Sequence, residues 1–435
     1  MAKFINLLKS LKLSLALLII IIPIIAAGNL IPQKGRVSPA EILEWQGRYP
    51  SLSRLVSFTG LDHVYTTWWF LLIFTVLFFN MGIITWGLIR RTRRKAKGLH
   101  RFSGEASAYY SLGNFSYKKE AVNSFEKILN QRRYNIIKVG GEVYARKGWF
   151  GIWGGTILHV GLIIILFGAV ISGLTRFNGY TEIGVGQGFD EKKESYLQSS
   201  YGVLFPGHKD GIHVFLEKVE EKDIGGMEAI LSTITITDSG RHALTKTIRM
   251  NEPLSYKGMK LYQSRYNGPA LLFSVYGPDG RFNAGYVNLQ TLKGGKARAY
   301  FTFPRAPLQA MTEYTPGSEF IDLEVRKKKA LVYHGPMRVE TTLDLDDWRL
   351  SLLSISRWSG IIVVYDWAVP IIFFGFWLSI AGVAIMGFFD PREIWAKTVE
   401  RDGEKFIEML GWGRWKNMFL DEYNEMMSGV LEWRT

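Results

Sequence analysis

The sequence predicts an integral membrane protein with four transmembrane α-helices, a large extracytoplasmic antiparallel β-rich domain of sandwich type and a small α+β cytoplasmic segment. Three observations carry that expectation. Four apolar runs, residues 11–31, 67–89, 151–174 and 361–389, each approach the ~20 residues that cross a bilayer. Basic residues crowd into one stretch directly after the second run. Short segments rich in β-branched and aromatic residues fill the chain between the third and fourth runs.

The charge distribution sets the direction of the spans. Lysine and arginine total 53 against 39 acidic residues, and the excess is local. Residues 90–147 hold fifteen basic side chains and four acidic ones, Glu105, Glu120, Glu126 and Glu142, which leaves +11 of the chain's +14. By the positive-inside rule this segment is cytoplasmic, and Lys3, Lys9 and Lys12 put the N-terminus on the same side. Four spans then place residues 32–66 and 175–360 outside and the tail, 390–435, inside. The run RRTRRKAK reads as a topology signal facing anionic lipid headgroups, with no nucleic acid called for. There are no cysteines, so disulfides, thiolate metal sites and thiol catalysis are excluded together.

In chain order, the first span, residues 1–31 with its N-terminus, resembles a signal peptide in its leading lysines and its Ala26-Ala27-Gly28. Its apolar run is long for one, which favours a retained anchor. It contains Pro23 and closes on GNLIPQ, residues 28–33, at the exit from the membrane. In the outer loop, residues 41–60 offer an amphipathic helix. His63 follows, either a ligand facing the outer surface or a solvated helix-start histidine. Trp68 and Trp69 mark the rim of the second span, and Asn80 within it is suited to an interhelical hydrogen bond.

The cytoplasmic segment reads as a helix, KKEAVNSFEKILNQR, followed by two strands, YNIIKVGGEVYARKG, about a Gly140-Gly141 turn. Beyond the third span, IHVFLEKVEE, AILSTITITD, LTKTIRM, MKLYQSRYN, LLFSVYG and ARAYFTF read as strands separated by turns such as TDSGR and GPDGR. Gly184, Gly186 and Gly188 are turn glycines, since no helix pattern follows them. The tail after Asp390-Pro391 reads as charged, aromatic and helix-prone. His208, His213, His242 and His334 are scattered and read as surface residues.

The third span carries the one titratable side chain well inside an apolar run, His159. Counted from Gly151, eight residues at ~1.5 Å each place it about 12 Å into a hydrocarbon core of roughly 30 Å, nearer the cytoplasmic end. Ile152, Gly155, His159, Ile163, Leu166, Val170 and Gly173 share one helical stripe, while Gly154, Gly161 and Gly168 recur every seventh residue on roughly the opposite face. An ionisable group in lipid faces a partner, a cavity or a cofactor. Imidazole ligates heme iron, and an apolar helical face suits a porphyrin. The alternative is a neutral imidazole hydrogen-bonded between helices. No GxxxxGK[ST], HExxH or GxSxG motif is present, and the spans hold no further titratable groups comparable to His159 that a proton relay would use.

Five stretches in order resemble the ResB (CcsB) subunit of the System II cytochrome c synthase. GNLIPQ is similar to that family's GTLIPQ, and LDHVYTTWWF to its D-V-Y-x-S-x-W-F stretch. ARKGWFGIWGGTILHVGLIIILFGAVISG resembles its A-x-K-G, G-x-x-x-x-H, L-x-x-G-A span. NEPLSYKGMKLYQSRYN resembles its N-x-P-L-x-Y-x-G-x-x-x-Y-Q-S strand pair. Asp366, Pro370, Gly375 and Gly382 match the D-P-G-x-P-x-x-x-x-G spacing of the last span, with Trp367 and Ala368 replacing its Pro-Gly. The likeness is thin in residues 176–250 and after Trp395.

The resemblance implies a subunit, non-catalytic alone, of a holocytochrome c synthase (heme lyase) complex in a bacterial cytoplasmic membrane. It implies heme b as cargo, with His159 as one axial ligand to its iron. It further implies a CcsA/ResC-type tryptophan-rich multi-span partner supplying the other ligand, apocytochrome c as acceptor, and a thioredoxin-like thiol reductant. Arg146 and Lys147 are candidates for the heme propionates only by nearness along the chain. Two other readings stand beside this one: a membrane-anchored scaffold that docks apocytochrome without binding heme, and a transporter, which the apolar spans disfavour.

Overall fold

A computed structural model describes residues 8–97, 110–116, 119–139, 142–224, 227–278, 280, 282–291, 295–304, 306–401 and 403–431. Four helices are long and apolar enough to cross a membrane, as expected. They are Leu11–Leu30, Trp68–Lys97, Gly154–Thr175 and Val369–Phe388, the third preceded by a 3-10 turn over Trp149–Trp153. The chain divides into two compact units, one of residues 1–19, 73–170 and 368–435, the other of residues 20–72 and 171–367.

In the first unit the third and fourth spans pack glycine against glycine. A Cβ added to Gly154 would lie 2.8 Å from the Gly382 carbonyl oxygen, and one on Gly168 would lie 2.7 Å from the Ile372 side chain. The heptad glycines thus form the close-packed face that their spacing predicts. At one end of these two helices, the Arg414 guanidinium donates to the carbonyls of Gly151 (2.6 Å) and Met386 (2.8 Å), capping backbone acceptors that a helix end leaves open. Asn80, in the second span, accepts from the Ser14 hydroxyl (2.5 Å) and donates to the Leu8 carbonyl (2.8 Å), which is the interhelical role expected of it.

The rest of this unit is a five-stranded antiparallel sheet whose order runs Tyr110–Ser116, Glu404–Gly413, Arg392–Arg401, Glu142–Lys147, Asn135–Val139. Helices Lys119–Gln131 and Lys416–Leu431 cover it through Phe125, Leu129, Phe419 and Tyr423. The helix-prone reading of the tail holds over Lys416–Leu431 and is corrected before it, where strands Arg392–Arg401 and Glu404–Gly413 pair as a hairpin. Their alternation puts Ile394, Ala396, Ile407 and Met409 on one buried face, and that period-2 pattern outweighs helix propensity. The expected Gly140-Gly141 turn lies outside the described residues, although the strands on either side pair as expected.

The second unit is built on two 18-residue strands, Met259–Tyr276 and Trp348–Tyr365, paired antiparallel. Their seven-stranded sheet faces a four-stranded sheet over one half of its length, enclosing Phe177, Leu216, Ile234, Met259 and Val363. Over the other half it faces a five-stranded sheet, enclosing Phe273, Leu308, Leu323, Leu350 and Leu352. The sandwich reading therefore holds in a doubled form, with two cores on shared strands. Between them the first long strand bulges. Gln263 pairs with Ile361 and Asn267 with Ser359, so three residues stand opposite one.

Two boundaries differ from expectation. The apolar run at 361–389 does not begin as helix: Ile361, Ile362, Val363 and Val364 belong to the second long strand, and the helix starts at Val369 with Pro370 in its first turn. β-branched residues suit a buried strand, and an apolar run alone does not tell the two apart. Likewise the expected single helix over residues 41–60 is two, Pro39–Arg48 and Pro50–Thr59, because Pro50 has no N–H to continue the ladder. The first of these is capped by the Ser38 hydroxyl, which accepts from the Glu41 N–H at 3.2 Å.

Candidate functional site: a histidine within the third span

His159 lies in the continuous helix Gly154–Thr175, one turn after Thr156. The Thr156 hydroxyl is buried and bonds that of Thr92 in the second span at 2.9 Å, tying the two helices beside the histidine. Gly155, on the His159 stripe, has only an ordinary 3.7 Å approach to the Met386 sulfur. A Cβ on Gly161, on the opposite stripe, would run into the Ser379 hydroxyl and lie 2.7 Å from the Gly375 carbonyl. Beside His159 the face packed on the fourth span and the imidazole face are therefore distinct, as the spacing predicts, while at the far end of the same stripe a Cβ on Gly173 would lie 2.9 Å from the Tyr65 carbonyl oxygen. The imidazole is half-buried, and its Nδ1 is sealed from solvent without a hydrogen-bond partner. A buried polar nitrogen left unpaired is costly, so the interhelical bond that would make this a structural histidine is missing at that atom.

The two basic residues considered for an anionic cargo group are otherwise engaged. The Lys147 ammonium donates to the Glu422 carboxylate at 2.6 Å, and the same carboxylate takes the Arg392 guanidinium and the Tyr134 hydroxyl. The Arg146 guanidinium stacks 5.1 Å over the Trp149 ring. Anchoring is the role their geometry supports.

In the second unit, His63 sits in a 3-10 turn, Leu61–Thr66, with Nδ1 2.6 Å from Asp62. The buried Asp62 carboxylate also takes the Lys34 ammonium at 2.7 Å, so the segment leaving the first span is pinned by this carboxylate. Burial raises the Asp62 pKa, but the bonds from His63 and Lys34 outweigh it and hold the carboxyl below its usual range. His63 is thus a positioned helix-turn residue. Nearby, Asp366 accepts from the Ser172 hydroxyl at 2.7 Å, and the Arg176 guanidinium lies 3.8 Å away. Burial pushes Arg176 down to about 10, with the like charge of Arg36 next in weight.

One surface histidine is reassigned. His208 is largely buried, its Nδ1 2.7 Å from a fully enclosed Glu191 carboxylate that also accepts from the Tyr196 hydroxyl at 2.9 Å. Phe177 and Phe205 pack edge-on against its ring, at 4.8 and 5.3 Å. The residues that gather here are separated along the chain by loops, and spacing alone could not reveal them. His213 is partly exposed on Asp190, His242 bonds Thr245, and His334 lies on the strand Ala330–Arg338. Among the described residues no three His, Asp or Glu side chains converge as a metal site would require.

Comparison with known proteins agrees with this layout. The cytochrome c biogenesis protein Ccs1 of Rhodomonas salina is 26% identical over 411 residues, covering 91% of this chain and 90% of that protein. CcsB proteins of Synechococcus sp. (strain JA-3-3Ab) and Crocosphaera subtropica are 25% and 27% identical, covering 91% and 90% of this chain and 84% and 87% of theirs. The ResB-like family's sequence model matches residues 11–423, from the first span to the last helix, and the chain therefore belongs to the ResB-like family.

Proposed function

We propose that this protein is a subunit of a membrane cytochrome c synthase. In this reading it helps move heme from the cytoplasmic side to the outer surface and presents it for thioether attachment to apocytochrome c. The observation that carries it is the His159 imidazole, set in an apolar span with Nδ1 buried and unpaired, in a chain whose relatives are cytochrome c biogenesis proteins. An imidazole held this way has nothing to give up when it ligates iron, and the helical face around it offers an apolar wall to a porphyrin.

The residues of this chain then have limited tasks. His159 binds iron from one side, and the other axial ligand comes from a tryptophan-rich multi-span partner. The glycine face opposite it keeps the third and fourth spans locked, so that the histidine is held at a fixed depth. In this reading residues 90–147 and the tail lie in the cytoplasm and the doubled sandwich outside, an orientation that the concentration of basic residues beside the second span supports. The thiols that add across the heme vinyl groups belong to the apocytochrome, since this chain has no cysteine.

The test is to purify the chain co-expressed with its partner and record the Soret band for wild type and His159→Ala, with and without added imidazole. The expected result is loss of most bound heme in the variant and partial recovery with imidazole. Unchanged heme content together with unchanged cytochrome c yield would overturn the ligand role and leave a scaffold that docks apocytochrome.

A further inference from the structure

Two sequence motifs that the heme reading does not use meet in one place. Residues 28–33, at the end of the first span, and residues 263–266, in the bulge of the first long strand, line a single cleft of roughly 550 Å³. Because the helix Leu11–Leu30 ends among these residues, the cleft opens at the level where the first span leaves the membrane.

Its polar lining is unsatisfied in a specific way. The Gln33 amide nitrogen donates to the Leu61 carbonyl at 2.8 Å and that of Gln263 to the Ser359 hydroxyl at 2.8 Å. The oxygens of both amides are buried without a partner. The Arg36 guanidinium, also on the lining, has no hydrogen-bond or ion-pair partner among the described residues. Arg265 and Glu41 pair with each other at 2.6 Å and cancel, and Arg176 is matched by Asp366 at 3.8 Å, so Arg36 leaves one positive charge over. Burial holds the Arg36 pKa below its ordinary value, with Tyr65, Asp366 and Tyr262 opposing that shift.

A ligand that completes this set carries one negative charge for Arg36 and hydrogen-bond donors for two amide oxygens, and it reaches the cleft from the membrane surface. We propose that the cleft binds the headgroup of a phospholipid, its phosphate on Arg36 and its hydroxyl or ammonium donors on Gln33 and Gln263. Phosphatidylglycerol and phosphatidylethanolamine have both features. Phosphatidylcholine has the phosphate but no donor. The exposed Leu30 and Met250 offer an apolar shoulder to the acyl chains. Such a lipid would fix the junction between the first span and the long strands.

The experiment uses the full chain, delipidated in detergent, with lipid adducts counted by native mass spectrometry and the melting temperature followed as each lipid is added. Phosphatidylglycerol and phosphatidylethanolamine are expected to bind about tenfold more tightly than phosphatidylcholine. Arg36→Gln should weaken phosphatidylglycerol binding about tenfold, with Arg36→Lys restoring most of it. Gln263→Leu should remove the preference over phosphatidylcholine while leaving phosphatidylcholine binding intact. Equal binding of the three lipids, or an Arg36→Gln variant that folds and binds phosphatidylglycerol as wild type does, would overturn the proposal. So would displacement of phosphatidylglycerol by metal-free protoporphyrin, which would assign the cleft to porphyrin carboxylates. His159→Ala serves as the independent arm and should leave lipid binding unchanged.

Discussion

A Cβ on Gly161 would lie 2.7 Å from the carbonyl oxygen of Gly375, and a Cβ on Gly375 would lie 2.8 Å from the carbonyl oxygen of Gly161. The contact is reciprocal and backbone to backbone, so neither helix can yield by turning a side chain. Where no water drives helices together, this close approach is the main attraction between the third and fourth spans.

Gly161→Ala should therefore part the two helices and destabilise the chain by about 1–3 kcal/mol, the usual cost of overpacking. Gly155→Ala, whose nearest contact is the Met386 sulfur at 3.7 Å, should be close to neutral. Thermal melting of the detergent-purified chain, followed by size-exclusion chromatography, compares them. Equal melting of the two variants would show that the glycine face does not set the packing.

Glu422 is expected to be costly to replace. Its carboxylate is mostly buried and takes Lys147, Arg392 and Tyr134 together, joining the last helix to the sheet. Glu422→Gln keeps the shape and removes the charge, leaving two cations facing each other, at a cost of about 2 kcal/mol. Limited proteolysis of residues 110–147 and 392–431 reads this loosening, and the spans should remain intact in the same digest.

The pH dependence of the second unit should carry the signature of Asp62. Its folded pKa lies below the unfolded 3.8, so its contribution is fully present above pH 3.8 and is lost as pH falls through the lower folded value. Proteolytic stability of residues 20–72 should accordingly drop below about pH 4. Asp62→Asn should be less stable at neutral pH and show a flatter acid limb. An unchanged acid limb would mean that Lys34 and His63 do not hold the carboxylate in solution.

Much of this architecture is legible in the chain itself. Twenty apolar residues in a row have few alternatives to a span, so the number of helices followed directly from composition. The seven-residue recurrence of Gly154, Gly161 and Gly168 marked the packed face, and with it the face that presents His159. Asn80 was readable as an interhelical bond because an amide in lipid must find a partner. The short strands between the third and fourth spans were visible from alternation and turn chemistry.

Other features depended on contacts between residues remote in sequence. Whether Ile361 to Val364 extended the last span or closed a strand was decided by pairing with Met259–Tyr276, since four β-branched residues fit either. The first part of the tail became a pair of strands, Arg392–Arg401 and Glu404–Gly413, because a sheet edge at Glu142–Lys147 was there to receive it. His208 lost its surface role to a buried carboxylate supplied by a neighbouring loop. The cleft that gathers residues 28–33 and 263–266 exists only through a bulge in a strand, and no local pattern announces a bulge. Local periodicity and the solvation cost of a membrane act on each segment alone, and the sequence by itself determined what they govern. Strand pairing and polar satisfaction act between segments, and only the tertiary structure decided those.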